Sequence, residues 1–310
     1  MCLLAVLFFA PSAFAQFNAA RGQSAPMESV EREYRDKDGT VSRRIVEQKP
    51  QADAHGNPHS PKYDLAVDGA FEGQTVAVLQ LYVDSAFDFS LPRAALAEKG
   101  FSVYRWIKEP PSPEELEKQL AKACQLWVIS DSSRKLNEGH LKVIKKFFDS
   151  GRGVYIWGDN EPYYADANYV AEALLGVTMS GNLPGQQVVS VQEQSGKKGF
   201  MLNHDITTGL EFLYEGVTIA TIAPNPHLTP LIHGSADNLV AAIYDRDGKR
   251  AVLDGAFTRL YVSWDTAGSG RYVKNAASWL VNYERFGDKV VGAKVANEKV
   301  SVKTSDKRLR

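Results

Sequence analysis

Cysteine is almost missing from this chain. Its 310 residues hold only Cys2 and Cys124. Cys2 falls inside a short apolar stretch at the start, so past that stretch Cys124 stands alone and no internal disulfide can form. That excludes a small disulfide-stapled scaffold and leaves a domain large enough to supply its own core. Cys124 sits just before an apolar run, at the amino end of a strand. This is the wrong edge of a parallel sheet for a nucleophile, so it reads as a buried structural thiol. An excess of one charge is also missing, since the net charge is −1 with 44% hydrophobic residues. No basic stripe with interleaved aromatics occurs, so nucleic acid is not an expected partner. Long apolar runs are absent too. The run Met1–Ala15 is too short to span a bilayer, and no transmembrane span is expected. It ends in Ala13-Phe14-Ala15, a small-x-small pattern, which predicts a cleaved signal peptide over residues 1–15 and an exported protein, periplasmic or secreted. A membrane-anchored N-terminus is the rival reading. The basic segment that usually opens such a run is missing, so the true start is expected upstream.

What is present is a periodic α/β pattern. Gln125–Ser130 is an apolar run, residues 136–150 are an amphipathic helix with Leu136, Val143, Ile144 and Phe147 on one face, and Val154–Trp157 is a second apolar run. Together they predict a parallel β-α-β unit. Val76–Tyr82 and Phe101–Trp106 are further strands. Helices are predicted over 91–99 (Ser90 cap), from Ser112 to about Lys122 (capping box with Glu115), from Asp166 as cap to Leu175, and from Arg271 to Tyr283. Strands alternating with helices at this spacing mean a doubly wound, mostly parallel sheet, a flavodoxin-like three-layer sandwich. Leu239–Tyr244 and Arg250–Asp254 flank Asp247-Gly248 and predict an antiparallel hairpin in the C-terminal part. Residues 178–235 are rich in Gly, Pro, Asn and Thr, with β-like runs at Gln187–Val191 and Val217–Ile222, and read as an excursion that packs on or extends the sheet. Residues 16–65 are polar and expected to be largely disordered, with a hairpin around Asp38-Gly39. Residues 66–286 form the domain proper. Residues 287–310, with 7 basic against 3 acidic side chains, are expected to be a disordered tail.

The turn Gly158–Glu161 follows a strand late in this sheet and precedes a helix. With Gly248–Asp254 and Ala276–Leu280 as closing strand and helix, the order resembles the class I glutamine amidotransferase-like superfamily over about residues 76–279. The resemblance implies a Cys on that turn and a His and Glu after a later strand. Here the turn reads Gly158-Asp159-Asn160-Glu161, and no His follows His233. A thiolate nucleophile needs a base within reach, so glutamine amidotransfer is excluded. The resemblance then implies a divergent, non-catalytic branch, with Asp159 or Asn160 where the Cys would stand.

In an open parallel sheet, ligands lie beyond the carboxyl ends of the strands. The polar residues expected there are Asp84, Ser130, Asp131, Asp159, Asn160, Glu161 and Asp254, with Arg259, Asp265 and Arg271 close by in sequence. The candidate ligand-binding set is Asp159, Asn160, Glu161, Asp131, Asp254, Arg259, Asp265 and Arg271, for a small molecule, a glycan or a protein partner. Gathered carboxylates could instead serve as acid and base or hold a hard cation, which would make a hydrolase or metal-assisted enzyme around Asp159. The plainer reading has them capping helices and pairing with arginines. A purely structural interaction module is a third reading. No cofactor is implied. His55 and His59 lie in a Pro-rich linker without further ligands. Ser130–Ser133 lacks a second serine at the spacing of a von Willebrand-type metal site. No Lys-Ser/Thr follows the glycines at 181, 185, 268 and 270 as a phosphate loop requires. Trp157, Tyr163, Tyr164, Tyr261 and Trp264 could line a ring-binding pocket or belong to the core.

Overall fold

The computed structural model describes residues 16–192, 198–262, 264, 266–287 and 299–302. The expected signal peptide, Asp265 and most of the expected basic tail lie outside them.

In chain order the elements are β1 (Glu28–Arg35), β2 (Val41–Gln48), β3 (Thr75–Gln80), α1 (Ser90–Glu98), β4 (Ser102–Ile107), α2 (Pro113–Leu120), β5 (Gln125–Ile129), α3 (Glu138–Asp149), β6 (Gly153–Trp157) and α4 (Ala165–Leu175). There follow β7 (Met179–Pro184), β8 (Val188–Ser190), β9 (Gly199–Phe200), β10 (Phe212–Tyr214), β11 (Thr218–Ile222), β12 (Thr229–His233), β13 (Leu239–Arg246), β14 (Lys249–Asp254), α5 (Ser269–Leu280), α6 (Tyr283–Phe286) and β15 (Lys299–Val302).

One nine-stranded sheet runs in the order β15-β4-β3-β5-β6-β14-β13-β12-β9. From β15 to β14 every pair is parallel, while β14/β13, β13/β12 and β12/β9 are antiparallel. This is a doubly wound α/β fold with an antiparallel extension. The parallel strands read as continuous apolar runs because both faces are covered. Trp127, Tyr155 and Trp157 point to the layer of α1 and α5. Their neighbours Leu126, Val128, Val154 and Ile156 point to the layer of α2, α3 and α4. Cys124 is buried, and burial pushes its thiol up to about 12.

The excursion does two things. β12 and β9 extend the sheet, whereas β7/β11 and β8/β10 form two small antiparallel sheets of their own. Two expected caps are placed differently. Asp166 does not cap α4 but lies in its first turn. The Ser130 hydroxyl, from the end of β5, accepts from the Asp166 and Ala167 amides instead. Ser90 begins α1, and Asp88 accepts from both its amide and its hydroxyl.

Residues 16–65 are in part folded against the domain. Asn18 donates to the carbonyls of Pro61, Asp64 and Ala66, and Arg21 pairs with Asp205 and Glu284. The fully buried Asp64 carboxylate meets Lys99, Arg271 and Lys274 at 2.8, 2.7 and 2.8 Å. β15 adds a parallel edge strand beside β4 within the stretch expected to be a disordered tail.

Candidate functional site

β4 and β5 flank β3, so the strand order reverses there, the point at which open α/β sheets take ligands. Lys135 occupies this edge. Its ammonium donates to the Leu81 carbonyl at 3.0 Å and the Lys108 carbonyl at 2.7 Å, and it pairs with Asp131 at 2.7 Å. An ammonium has three N–H groups, and these partners use all of them. Asp131 is thereby committed to a neighbour of its own loop. Below it, Asp166 accepts from the amides of Lys135 and Leu136, and burial pushes its carboxyl up despite these bonds.

On the neighbouring strand, the turn after β6 holds Asp159. Space at Gly158 is tight, because a Cβ there would lie 2.7 Å from the Met179 sulfur and 3.2 Å from the Tyr164 Cβ. The turn is not a strained elbow, since none of Gly158 to Glu161 has a positive φ. Asp159 is fully buried. Its carboxylate accepts from the Asn160 amide at 2.8 Å, the Thr258 amide at 3.0 Å and the Thr218 hydroxyl at 3.1 Å. Among the described residues no Lys or Arg is paired with it. Burial outweighs the hydrogen bonds from Asn160, Thr258 and Thr218 and pushes the carboxyl up to about 7. Asn160 joins the same group, because its side-chain carbonyl lies 2.7 Å from the Thr218 hydroxyl.

Asp254 and Arg259 form a different unit. Both are wholly buried and ion-paired with each other. Asp254 also accepts from the Tyr272 hydroxyl at 2.9 Å and the Ala256 amide at 3.1 Å. The guanidinium lies over the Tyr272 ring, 5.1 Å from its centroid. Two mutually satisfied, water-excluded charges are framework, and neither can touch a ligand. Arg271 also leaves the proposed set, because it bonds Asp64 and the carbonyls of Gly209 and Ser60. Glu161 and Asp84 are exposed. The expected cluster therefore divides into Asp159 with Asn160, Asp131 with Lys135, Asp254 with Arg259, and Arg271 with Asp64. Among the described residues, no group of three or more His, Cys, Asp or Glu side chains lies close enough to hold a metal ion.

The aromatics come together where the carboxylates do not. Tyr82 follows β3, Tyr163 closes the Asp159 turn and Tyr261 follows β14, and all three are half-buried. Tyr82 meets Tyr163 edge-on at 5.4 Å and lies 6.3 Å from Tyr261 between ring centroids. Phe257 packs against Tyr82 at 4.9 Å, and Phe87 stacks on Tyr261 at 4.3 Å. Burial raises the Tyr82 and Tyr261 phenols, and the Asp159 charge adds to this in both. Trp157 lies in the core, while Trp264 is partly exposed. Sequence reading missed Tyr82. The available signal was an aromatic placed directly after an apolar run, where the strand leaves the sheet.

The chain is thus a doubly wound α/β domain whose carboxyl edge carries half-buried tyrosines near the buried, hydrogen-bonded Asp159 carboxyl group. No protein family matches it, and no curated protein does. Among solved structures it is similar to a GMP synthase-related protein from Thermoplasma acidophilum, at 9% identity over 69% of this chain and 97% of that one, with a TM-score of 0.45. It is similar to a ThuA-like protein from Parabacteroides merdae at 11% identity over 68% and 90%, with a TM-score of 0.43. It is also similar to an exo-β-1,4-mannosidase from an Opitutaceae bacterium at 11% identity over 67% of this chain and 36% of that one, with a TM-score of 0.38.

Proposed function

We propose that this chain is an exported, divergent and non-catalytic amidotransferase-like domain. It binds a ligand at the carboxyl edge of its sheet, on the surface made by Tyr82, Tyr163 and Tyr261. The observation that carries the proposal is Asp159. Burying a carboxyl without a cation costs stability, and here it lies close to half-buried tyrosines, at the sheet edge where such folds take ligands. Tyrosine rings offer apolar faces with polar tips, which suits a small molecule, a glycan or a protein partner with ring or aliphatic faces. Export is proposed from the Met1–Ala15 run, and the mass of the mature N-terminus tests it. Ligand titration of the wild type, Tyr163→Ala and Tyr261→Ala tests the site. Binding lost in both variants supports the proposal, and binding unchanged in both contradicts it.

A second reading has one observation in its favour. A carboxyl that titrates near 7 suits general acid–base chemistry, so Asp159 could serve a hydrolase. Its weakness is the missing partner group, since Asp131 and Asp254 are each committed to a cation. Hydrolysis of any substrate, lost in Asp159→Asn with the fold intact, would establish this reading. Wild type inactive on a broad substrate panel would end it.

A further inference from the structure

We propose that the N-terminal hairpin is the contact between two copies of this chain, joined edge to edge through β2 into a four-stranded antiparallel sheet. β1 and β2 are eight residues each and form a sheet of their own. A two-stranded hairpin is marginal alone, and three or more strands are needed for a stable sheet. This one gains little from the body behind it. Along β2 the residues Val41, Arg43, Arg44, Ile45 and Glu47 are exposed. Ile45 is 76% exposed, the highest value among the large hydrophobic side chains of the described residues that stay in water.

The register of the hairpin fixes which edge groups are free. The Asp36 amide donates to the Thr40 carbonyl across the turn, and residues pair with a constant sum from Arg35↔Val41 to Glu28↔Gln48. Hydrogen-bonded and non-bonded pairs alternate. Ser42, Arg44, Val46 and Gln48 therefore bond inward to β1. The amides and carbonyls of Val41, Arg43, Ile45 and Glu47 face the open edge.

Two antiparallel copies related by a two-fold axis must place one residue opposite itself, because side chains alternate between faces. Centred on Ile45, the arrangement sets Ile45 against the second copy's Ile45. It sets Arg43 against the second copy's Glu47, twice, and Arg44 against Val46. Every outward amide and carbonyl from 43 to 47 then pairs. No like charges oppose each other, and the most exposed apolar side chain is covered. Centring on Arg43, Arg44 or Glu47 instead sets a charge against its own copy, and centring on Val46 sets Arg43 against Lys49. Centring on Val41, Ser42 or Gln48 raises no charge conflict but slides the contact off the end of β2, so that Ile45 faces Lys37, Gly39 or Gln51 outside the strand and stays uncovered. The sequence of this edge thus favours one self-complementary register, as an isologous contact requires.

The test is a charge swap read by the molar mass of the full chain in solution across a concentration series. Wild type is expected to dimerise reversibly. Arg43→Glu and Glu47→Arg, each alone, put like charges on both flanks of the axis and are expected to weaken the dimer by roughly tenfold. The double variant restores it, and so does an equimolar mixture of the two single variants. Arg43 also pairs with Glu33 inside its own hairpin at 3.0 Å. The double swap does not restore that pair, so recovery reports on the contact between copies. Circular dichroism confirms that each variant stays folded. A wild type that is monomeric throughout, or a dimer indifferent to the single reversals, overturns the proposal.

Discussion

The Arg259 guanidinium lies against the Asp254 carboxylate with neither group reaching water, five residues apart at the carboxyl end of β14. Removing one partner of a buried ion pair strands the other and typically costs about 3–5 kcal/mol. Arg259→Met is therefore expected to lower unfolding stability by that order in a denaturant titration. The double variant Asp254→Asn/Arg259→Met recovers part of the loss. A single variant as stable as wild type would show that the pair is not structural.

Asp159 sets a pH dependence with a definite sign. Its carboxyl titrates near 7 when folded, against about 3.9 in an unfolded chain. Between these values the folded state holds a proton that the unfolded state has released, so its contribution falls as pH rises through that window and levels off above it. The total is on the order of a few kcal/mol. Asp159→Asn keeps the shape and removes the titration. The stability difference between variant and wild type should move in the variant's favour from pH 4 to about 7. A difference that stays flat across this range would contradict the burial argument.

Asp64 behaves in the opposite sense. Burial acts to raise its pKa, but Lys274, Arg271 and Lys99 outweigh it and hold the carboxyl below its usual value. Its contribution is present above the unfolded pKa and lost as pH falls through the lower folded one. Asp64→Asn should destabilise the protein by about 3 kcal/mol or more near neutrality, because it leaves the wholly buried Lys99 with fewer partners. The penalty should shrink in acid. Limited proteolysis of the variant is expected to cut within 16–63 sooner than in wild type, since Asp64 ties that segment to α1 and α5. Equal cutting rates would show that the segment is held by other contacts.

How much of this was legible in the sequence depended on what each residue's partner was. The runs around Trp127 and Ile156 announced strands covered on both faces, because an unbroken apolar run has no other stable place in a sheet. The β13/β14 hairpin was legible from its turn pair for the same local reason. Partners distant in sequence were not legible. The position of Arg271 near the start of α5 suggests the sheet edge, yet the side chain reaches Asp64, 207 residues earlier. Asp64 itself lay in a stretch whose polarity reads as linker, so its burial among three cations had no local signal. Lys135 after β5 reads as an ordinary surface lysine, and only the crossing of β3, β4 and β5 shows that carbonyls from two other loops converge on it. The Asp159 turn lies at the sheet edge, as its place after an apolar run implies, but Asp131, Asp254 and Arg271 each go to partners of their own.

The central claim is that ligands are taken on the tyrosine face above Asp159. The most direct measurement is a nuclear magnetic resonance titration of the full chain, with labelled tyrosine rings, against glycan and metabolite libraries. A ligand taken on this face shifts the ring signals of Tyr82, Tyr163 and Tyr261 together, in a saturable way that Tyr163→Ala abolishes. A ligand that binds and leaves these three rings unmoved would contradict it.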